Sequence, residues 1–168
     1  MLTKISSGEV VVGVDTSVSG RTALEWAAAY ARATRARLRV IHVFGPDAIA
    51  PMARAPGAFP AIAYLATAGT EDTTRSDIQL AFDSLPPSLG WRLEFCQGPI
   101  GPTLVERSES AEVLVVGTRE HTGINRLLSG SVSHYCLRHS ACPVIAVPPV
   151  PATDGARPFE LSESVSHR

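Results

Sequence analysis

Residues 9–15 read Glu-Val-Val-Val-Gly-Val-Asp, a short β-branched run that ends in a polar residue. A continuous apolar run of this kind is typical of a strand buried on both faces, as in a parallel sheet. Residues 16–20 are rich in helix-capping types, and apolar side chains then recur with helical spacing. These are Ala23, Trp26, Ala27, Tyr30 and Ala31. A strand, a polar turn and a helix therefore form the first unit of the predicted fold.

The same alternation continues along the chain. Further strands are predicted over residues 38–44, 91–96, 112–117 and 143–148. Helices are predicted over residues 70–85, about 103–108 and 131–139. Strands that alternate with helices imply right-handed crossovers between parallel strands. The expected fold class is α/β: an open, doubly wound, five-stranded parallel sheet with helices on both faces.

The domain plan follows from composition. Residues 1–8 are predicted to be an N-terminal extension, residues 9–148 one domain and residues 149–168 a polar, disordered tail. Residues 45–69 are rich in Ala, Pro and Gly without a clear period. They are predicted to form a long loop with at most one short helical turn.

Charge and cysteine content exclude some classes of function. The chain is 45% hydrophobic and 18% charged with a formal net charge of −1. No field of one sign covers the surface, which argues against a general nucleic-acid or membrane binder. Residues 1–8 lack the apolar core of a secretory signal, and Cys96, Cys136 and Cys142 form no CxxC pair. A cytoplasmic protein with reduced thiols is expected.

Two strand ends carry the candidate ligand site. In an open α/β sheet, ligands bind beyond the carboxyl ends of the strands, where the strand order reverses. The first strand ends at Asp15, and the fourth ends at Gly117 before a glycine-containing loop. That loop leads into a helix at Gly130-Ser131, whose N–H groups and dipole would attract an anion. An ordinary alternative stays open, because serines near a helix start and an aspartate after a strand are often helix caps.

Several motifs together resemble universal stress proteins. They begin with the run around Asp15 and the helix after it, and continue with Val40-Ile41-His42-Val43 in the second strand. Residues 115–119, 127–133 and 142–147 complete the set in the same order. The resemblance runs from about residue 10 to residue 148. It implies a Rossmann-like sheet with strand order 3-2-1-4-5.

ATP-binding members of this family carry a loop of the form G-x2-G-x9-G-[ST]. Gly117 matches the first glycine and Gly130-Ser131 match the final pair, but Glu120 replaces the second glycine. A carboxylate about 4 Å from a phosphate would oppose binding by roughly 4 kcal/mol at an intermediate dielectric. Arg119 or Arg126 would have to neutralise Glu120, or its side chain would have to turn outward.

The resemblance also implies roles for individual residues. Asp15 and the backbone at Val43 would hold the ribose and the adenine. The phosphates would contact residues at the start of the last helix and in the loop before it. Arg119 is included among these binding residues. This set is Gly117, Arg119, Gly130, Ser131 and Ser133. The implied cofactor is ATP or another adenine nucleotide, with Mg²⁺ accompanying it.

Signatures of catalysis are missing from the sequence. Lys4 is the only lysine and lies in no Walker A loop, and no G-x-S-x-G elbow occurs. The five histidines show no metal-ligand spacing. The chain is therefore predicted to act by binding rather than as an enzyme.

Two functions from different classes remain. The first is a stress-response regulator that senses an adenine nucleotide and, as the resemblance implies, forms a homodimer through Val144–Val147 and contacts unknown protein partners. The second is a nucleotide-independent interaction module whose phosphate site is closed by Glu120. Glu120→Gly separates them, since it should improve binding in the first case.

Overall fold

The computed structural model describes residues 8–45, 60–118 and 131–149, with side chains described throughout except at 60–69 and 131. Strands and helices alternate along these segments. The strands are β1 (Glu9–Gly13), β2 (Arg37–Phe44), β3 (Arg92–Gln97), β4 (Val113–Gly117) and β5 (Val144–Val147). The helices are α1 (Val18–Thr34), α2 (Pro60–Asp83), α3 (Ile100–Arg107) and α4 (Ser131–His139).

The five strands form one parallel sheet in the order β3-β2-β1-β4-β5. This confirms the predicted fold class and strand order. The chain moves outward from β1 to β2 and β3, then returns to place β4 on the other side of β1. The strand order therefore reverses between β1 and β4, which puts the expected ligand edge at the ends of these two strands.

Two apolar layers cover the sheet because successive side chains of a strand point to opposite faces. Val10 and Val12 pack with the buried face of α1 and with Ile78 of α2. Val11 packs on the opposite face with Leu104 of α3 and, further along, residues of α4. The central strands are thus buried on both sides, as their continuous apolar runs predict.

Local signals define both ends of α1. The Ser17 side chain accepts a hydrogen bond from the Gly20 N–H and so caps the helix. At the other end Arg35 has φ 57°, and its N–H bonds back to the carbonyl of Arg32. This left-handed turn directs the chain at once into β2.

The prediction of a loop over residues 45–69 is wrong for its last ten residues, since α2 already begins at Pro60. Proline and glycine had favoured a loop. Proline is nonetheless well suited to the first position of a helix, and the alanines that follow have the highest helix propensity. Gly69 costs only about 1 kcal/mol within such a helix. Residues 46–59 lie outside the described part of the chain.

Helix α3 begins at Ile100, about three residues before its predicted start. Pro102 lies in its first turn, where a missing N–H leaves no helical bond unmade. The predicted extension and tail lie outside the described residues, apart from Gly8 and Pro149. Within the described segments, no helix is long and apolar enough to cross a membrane.

A cleft at the carboxyl ends of the strands

A cleft of about 110 Å³ opens where β1 and β4 end. It lies between the carboxyl edge of the sheet and the helices α1, α3 and α4. Its lining comprises Gly13, Val14, Asp15, Ser19, Gly20, Ile41, His42, Val43, Ile100, Leu104, Val116, Gly117, Val132 and Ser133. Ligand pockets usually enclose 300 to 1,000 Å³, so a nucleotide-sized ligand would extend beyond this space.

The turn between β1 and α1 presents a carboxylate at the cleft. Asp15 is exposed, and its Oδ1 accepts hydrogen bonds from both the N–H (3.1 Å) and the hydroxyl of Ser17. Ser17 in turn caps α1 through the N–H of Gly20. The ordinary alternative, in which Asp15 caps the helix, is therefore wrong. Ser17 is the cap, and its hydrogen bonds hold Asp15 in place.

Close packing of backbone explains two glycines of the cleft. A Cβ atom on Gly117 would lie 2.6 Å from the carbonyl oxygen of Ser19, and one on Gly20 would lie 2.5 Å from that of Asp15. The first turn of α1 thus rests directly on the end of β4. Gly117, which the family motif assigned to phosphate binding, is already required by this helix–strand contact.

The end of β2 turns backbone groups towards the cleft. In a parallel sheet, alternate residues of a strand bond to alternate neighbours. The Ile41 carbonyl accepts from Val14 in the β1 segment, whereas the Phe44 carbonyl accepts from Gly98 beyond β3. The N–H and C=O of Val43 therefore point to the β1 side, where β1 has ended at Gly13 and the chain turns away.

Helices α3 and α4 supply the apolar side of the cleft. Ile100 and Leu104 lie on α3, and Val132 and Ser133 on the first turn of α4. Ser133 is only 2% exposed. The combination of an apolar wall, a carboxylate and strand-end backbone groups is what small-ligand sites typically offer.

A cysteine thiol, that of Cys136, lies on α4 in the hydrophobic core. Cys136 is completely buried, and burial raises its pKa to about 11. A backbone hydrogen bond lowers the pKa in part, and the neighbouring Cys142 adds a smaller rise. A neutral, enclosed thiol is unreactive, so Cys136 is part of the core rather than of the site.

A larger cleft of about 320 Å³ adjoins the first between α1 and α2. The two share Val14, Asp15 and Gly20, so the β1–α1 turn separates them. Its remaining walls come from Thr16 and Ser17 of that turn and from helix residues, including Arg21 and Asp77. Strand ends converge only on the first cleft, which makes that cleft the better candidate within the described structure.

The structure brings together four of the residues predicted for the site: Asp15, Val43, Gly117 and Ser133. Ser131 is the first residue of α4, so its backbone begins that helix, but its side chain is not described. Arg119, Gly130 and the departure at Glu120 lie outside the described residues.

Sequence reasoning missed several lining residues, namely Ser19, Gly20, His42, Ile100, Leu104 and Val132. A glycine in the first turn of a helix was a signal for Gly20, since glycine there weakens the helix without a packing reason. No pattern in the sequence placed α3 over the end of β2. Its lining residues could not have been found before the crossover was known.

Comparison with known proteins gives the family. The model of the universal stress protein family matches residues 7–148. A universal stress protein of Mycolicibacterium smegmatis is 30% identical over an alignment of 146 positions that covers 82% of this chain and 47% of that protein. The universal stress protein Rv2623 of Mycobacterium tuberculosis is 27% identical, with 96% of this chain and 59% of that protein covered. The chain thus spans about half the length of these curated relatives.

Solved structures agree with the sequence comparison. A universal stress protein crystallised in complex with cAMP is 25% identical with a TM-score of 0.57, and the match covers 86% of this chain and 98% of that one. UspA from Lactobacillus plantarum, at 21% identity and a TM-score of 0.57, shares the fold over 84% of this chain and 97% of its own. On these grounds the chain belongs to the universal stress protein family.

Proposed function

We propose that this protein is a stress-response regulator that binds an adenine nucleotide, ATP or a relative such as cAMP, in the cleft at the carboxyl edge of the sheet. One observation carries the proposal: Asp15, Val43 and the first turn of α4 all line the same cleft. The similar universal stress protein solved in complex with cAMP supports it. Regulation would follow if the bound and free forms differ in affinity for a partner.

The end of β2 suits an adenine base. Val43 offers one N–H donor and one C=O acceptor on the side where β1 has ended. Adenine carries an amino donor beside ring-nitrogen acceptors, so the two edges are complementary. Ile100, Leu104 and Val132 would cover the faces of the base with apolar atoms.

Asp15 suits a ribose. A carboxylate accepts strong hydrogen bonds from hydroxyl groups. The two hydrogen bonds from Ser17 hold the Asp15 side chain through Oδ1. The other carboxylate oxygen, Oδ2, is therefore also held in position. The carboxylate therefore needs little further ordering when a sugar binds.

The phosphates would lie at the start of α4. A helix N-terminus presents N–H groups and the positive end of its dipole. Gly130, Ser131, Ser133 and Arg119 are assigned here through the family motif. Mg²⁺ would accompany the nucleotide, as the family resemblance implies. The described side chains include no group of three or more His, Cys, Asp or Glu suited to a metal ion. We assign no catalytic residue: the protein would act through binding, in the cytoplasm as the sequence predicts.

The first test is to identify what the purified protein carries. The protein is unfolded in mild denaturant and the released small molecules are analysed by chromatography and mass spectrometry. Calorimetry with ATP, ADP and cAMP then gives affinities. We expect an adenine nucleotide to be released or to bind; a chain that releases none and shows no heat at millimolar nucleotide would refute the proposal.

Two variants locate the binding. Asp15→Asn keeps the oxygen that Ser17 contacts but removes the charge, so affinity should fall about tenfold, or roughly 1.4 kcal/mol, with little change in stability. Glu120→Gly should strengthen binding of ATP more than that of adenosine, because the family motif would place the Glu120 carboxylate near the phosphates. Unchanged affinity in Asp15→Asn would place the nucleotide elsewhere.

We also propose that two copies pair through β5, which lies at the edge of the sheet. The carbonyls of Pro143 and Val147 accept from the β4 segment, so Val144 and Ala146 direct their N–H and C=O outward. Ala146→Pro removes an outward N–H without removing a β4 bond, and proline is tolerated on edge strands. Sedimentation should show a dimer for the native chain and for Ala146→Ser, and a monomer for Ala146→Pro. Equal dimerisation of all three would exclude this edge.

The second candidate, a nucleotide-independent interaction module, rests on Glu120. In that case the nucleotide experiments fail in the native chain while pairing through β5 persists. If Glu120 is the group that closes the phosphate site, Glu120→Gly would bind nucleotide although the native chain does not. Protein partners would be sought with the native chain and with Ala146→Pro, which separates binding by a dimer from binding by one copy.

A further inference from the structure

The hydrogen-bond ladder between β1 and β2 ends unusually. Val14 donates its N–H to the Ile41 carbonyl at 2.9 Å. In a regular parallel pair the next bond would run from the Val43 N–H to the Val14 carbonyl. That bond does not form, and Nδ1 of His42 lies 2.8 Å from the Val14 carbonyl oxygen instead.

The chemistry of this contact fixes the tautomer. A carbonyl oxygen can only accept, so Nδ1 of His42 must carry a proton and donate it. His42 is 8% exposed, so its imidazole replaces a backbone donor inside the protein rather than at the surface. The side chain thus donates to the carbonyl oxygen that the Val43 N–H would reach in a regular ladder.

An aromatic cluster holds the imidazole in this position. The His42 ring meets the edge of Phe44 with 4.6 Å between centroids and an interplanar angle of 80°, and Phe95 lies 6.2 Å away. The guanidinium of Arg75 on α2 lies 4.6 Å from the Phe44 ring centre and 4.7 Å from that of Phe95. Arg75 of α2 therefore packs on Phe44 and Phe95, and these two rings orient the imidazole of His42.

We infer that His42 is a positioning residue for the ligand site: it stops the β1–β2 ladder one bond early and so keeps the Val43 backbone available to a ligand. The effect of His42 on nucleotide binding rests on the proposed function. The effect of His42 on the β1–β2 ladder does not. His42 does not need to touch the nucleotide. It acts through the Val14 carbonyl.

Two variants separate a donor from a space-filling role. In His42→Asn, the amide nitrogen can take the place of Nδ1 and keep the bond to Val14. In His42→Leu, the volume is retained but the donor is lost, and the Val43 N–H is expected to bond to Val14. If His42→Leu does not fold, His42→Met replaces it, since a flexible apolar chain adapts to the same space.

The deciding measurement is amide hydrogen exchange of Val43 in the nucleotide-free protein, by NMR, with the Ile41 amide as internal reference. Relative to that reference, exchange at Val43 should slow at least tenfold in His42→Leu and stay within threefold of native in His42→Asn. Equal exchange in the native chain and both variants would overturn the inference. So would protection of Val43 already in the native chain.

Nucleotide affinity is the second readout. It should fall about tenfold in His42→Leu and be restored in His42→Asn. Loss in both variants would show that the imidazole itself is required and would overturn the positioning role. If the native chain binds no nucleotide while the Val43 amide responds as expected, the proposed function fails and the inference about His42 stands.

Discussion

The two ends of the parallel sheet use charged residues in opposite ways. At the amino end, both oxygens of Glu9 are paired, with Arg39 at 2.6 Å and Arg92 at 3.1 Å, and the Glu9 and Arg39 side chains are 10% and 12% exposed. At the carboxyl end, Asp15 is exposed and forms no ion pair with any described cation; its partner is the neutral Ser17.

This difference separates residues that serve the fold from residues available to a ligand. The amino-end charges span three strands and also reach α3, since Arg39 donates to the Arg107 carbonyl at 2.8 Å. Their removal should cost stability and leave binding unchanged. Substitutions around Asp15 should weaken nucleotide binding and leave stability nearly unchanged. Residues that both pack against neighbouring elements and line the cleft are the exception.

The largest effect is expected from Glu9→Gln. It leaves the largely buried Arg39 guanidinium without its anion, and breaking one side of a buried pair costs about 3 kcal/mol or more. Urea denaturation should show this loss, with nucleotide affinity unchanged in protein that stays folded. Glu94→Gln is the control: its main partner Arg92 is 45% exposed, so the cost should stay below about 1 kcal/mol. Equal losses in the two variants would contradict the distinction between buried and exposed pairs.

Gly117→Ala should lower both stability and binding because Gly117 belongs to the packing and to the cleft. The added methyl group would lie 2.6 Å from the Ser19 carbonyl oxygen, and backbone cannot move as easily as a side chain. We expect a loss of about 2 kcal/mol in the free energy of unfolding. At the amino end, Gly8→Ala would meet only the exposed Glu112 side chain, which can turn away, so its cost should be a few tenths of a kcal/mol. Wild-type stability in Gly117→Ala would show that α1 is not seated on β4 as described.

Cys136 extends the comparison to a titratable group in the hydrophobic core. Its pKa of about 11 in the folded state exceeds the value of 9.0 for a free thiol because of burial. Between these values the unfolded chain loses the proton and the folded chain keeps it. Stability should therefore fall as the pH rises from 9 to 11, by about 2 kcal/mol from this group. The difference between native protein and Cys136→Ala, measured by urea denaturation at pH 8, 9 and 10, isolates the effect; a constant difference would show that Cys136 is not buried in the folded chain.

Sequence patterns predicted the sheet because each buried strand is a continuous apolar run and each helix repeats its apolar face locally. They also predicted Asp15 and Gly117 at the cleft, since the ends of strands are readable from those runs, whereas Val43 followed only from the resemblance to universal stress proteins. They failed at Pro60, where a residue typical of loops opens a helix, and at Ile100, whose place depends on the path of α3. The His42 contact was out of reach, because it replaces a bond between two strands and leaves no periodic trace.

The smallest effect is expected from Ser17→Ala, which tests whether the carboxyl end is preorganised. Loss of the cap on Gly20 should cost about 1 kcal/mol of stability. The Asp15 carboxylate also loses its hydroxyl partner and can rotate, so nucleotide affinity should fall a few-fold even though Ser17 does not line the candidate cleft. Ser17→Thr keeps the hydroxyl and should preserve both values, as measured by denaturation and calorimetry. If Ser17→Ala lost stability but bound nucleotide as tightly as the native chain, Asp15 would not need Ser17 to hold it, and its exposure alone would suffice for binding.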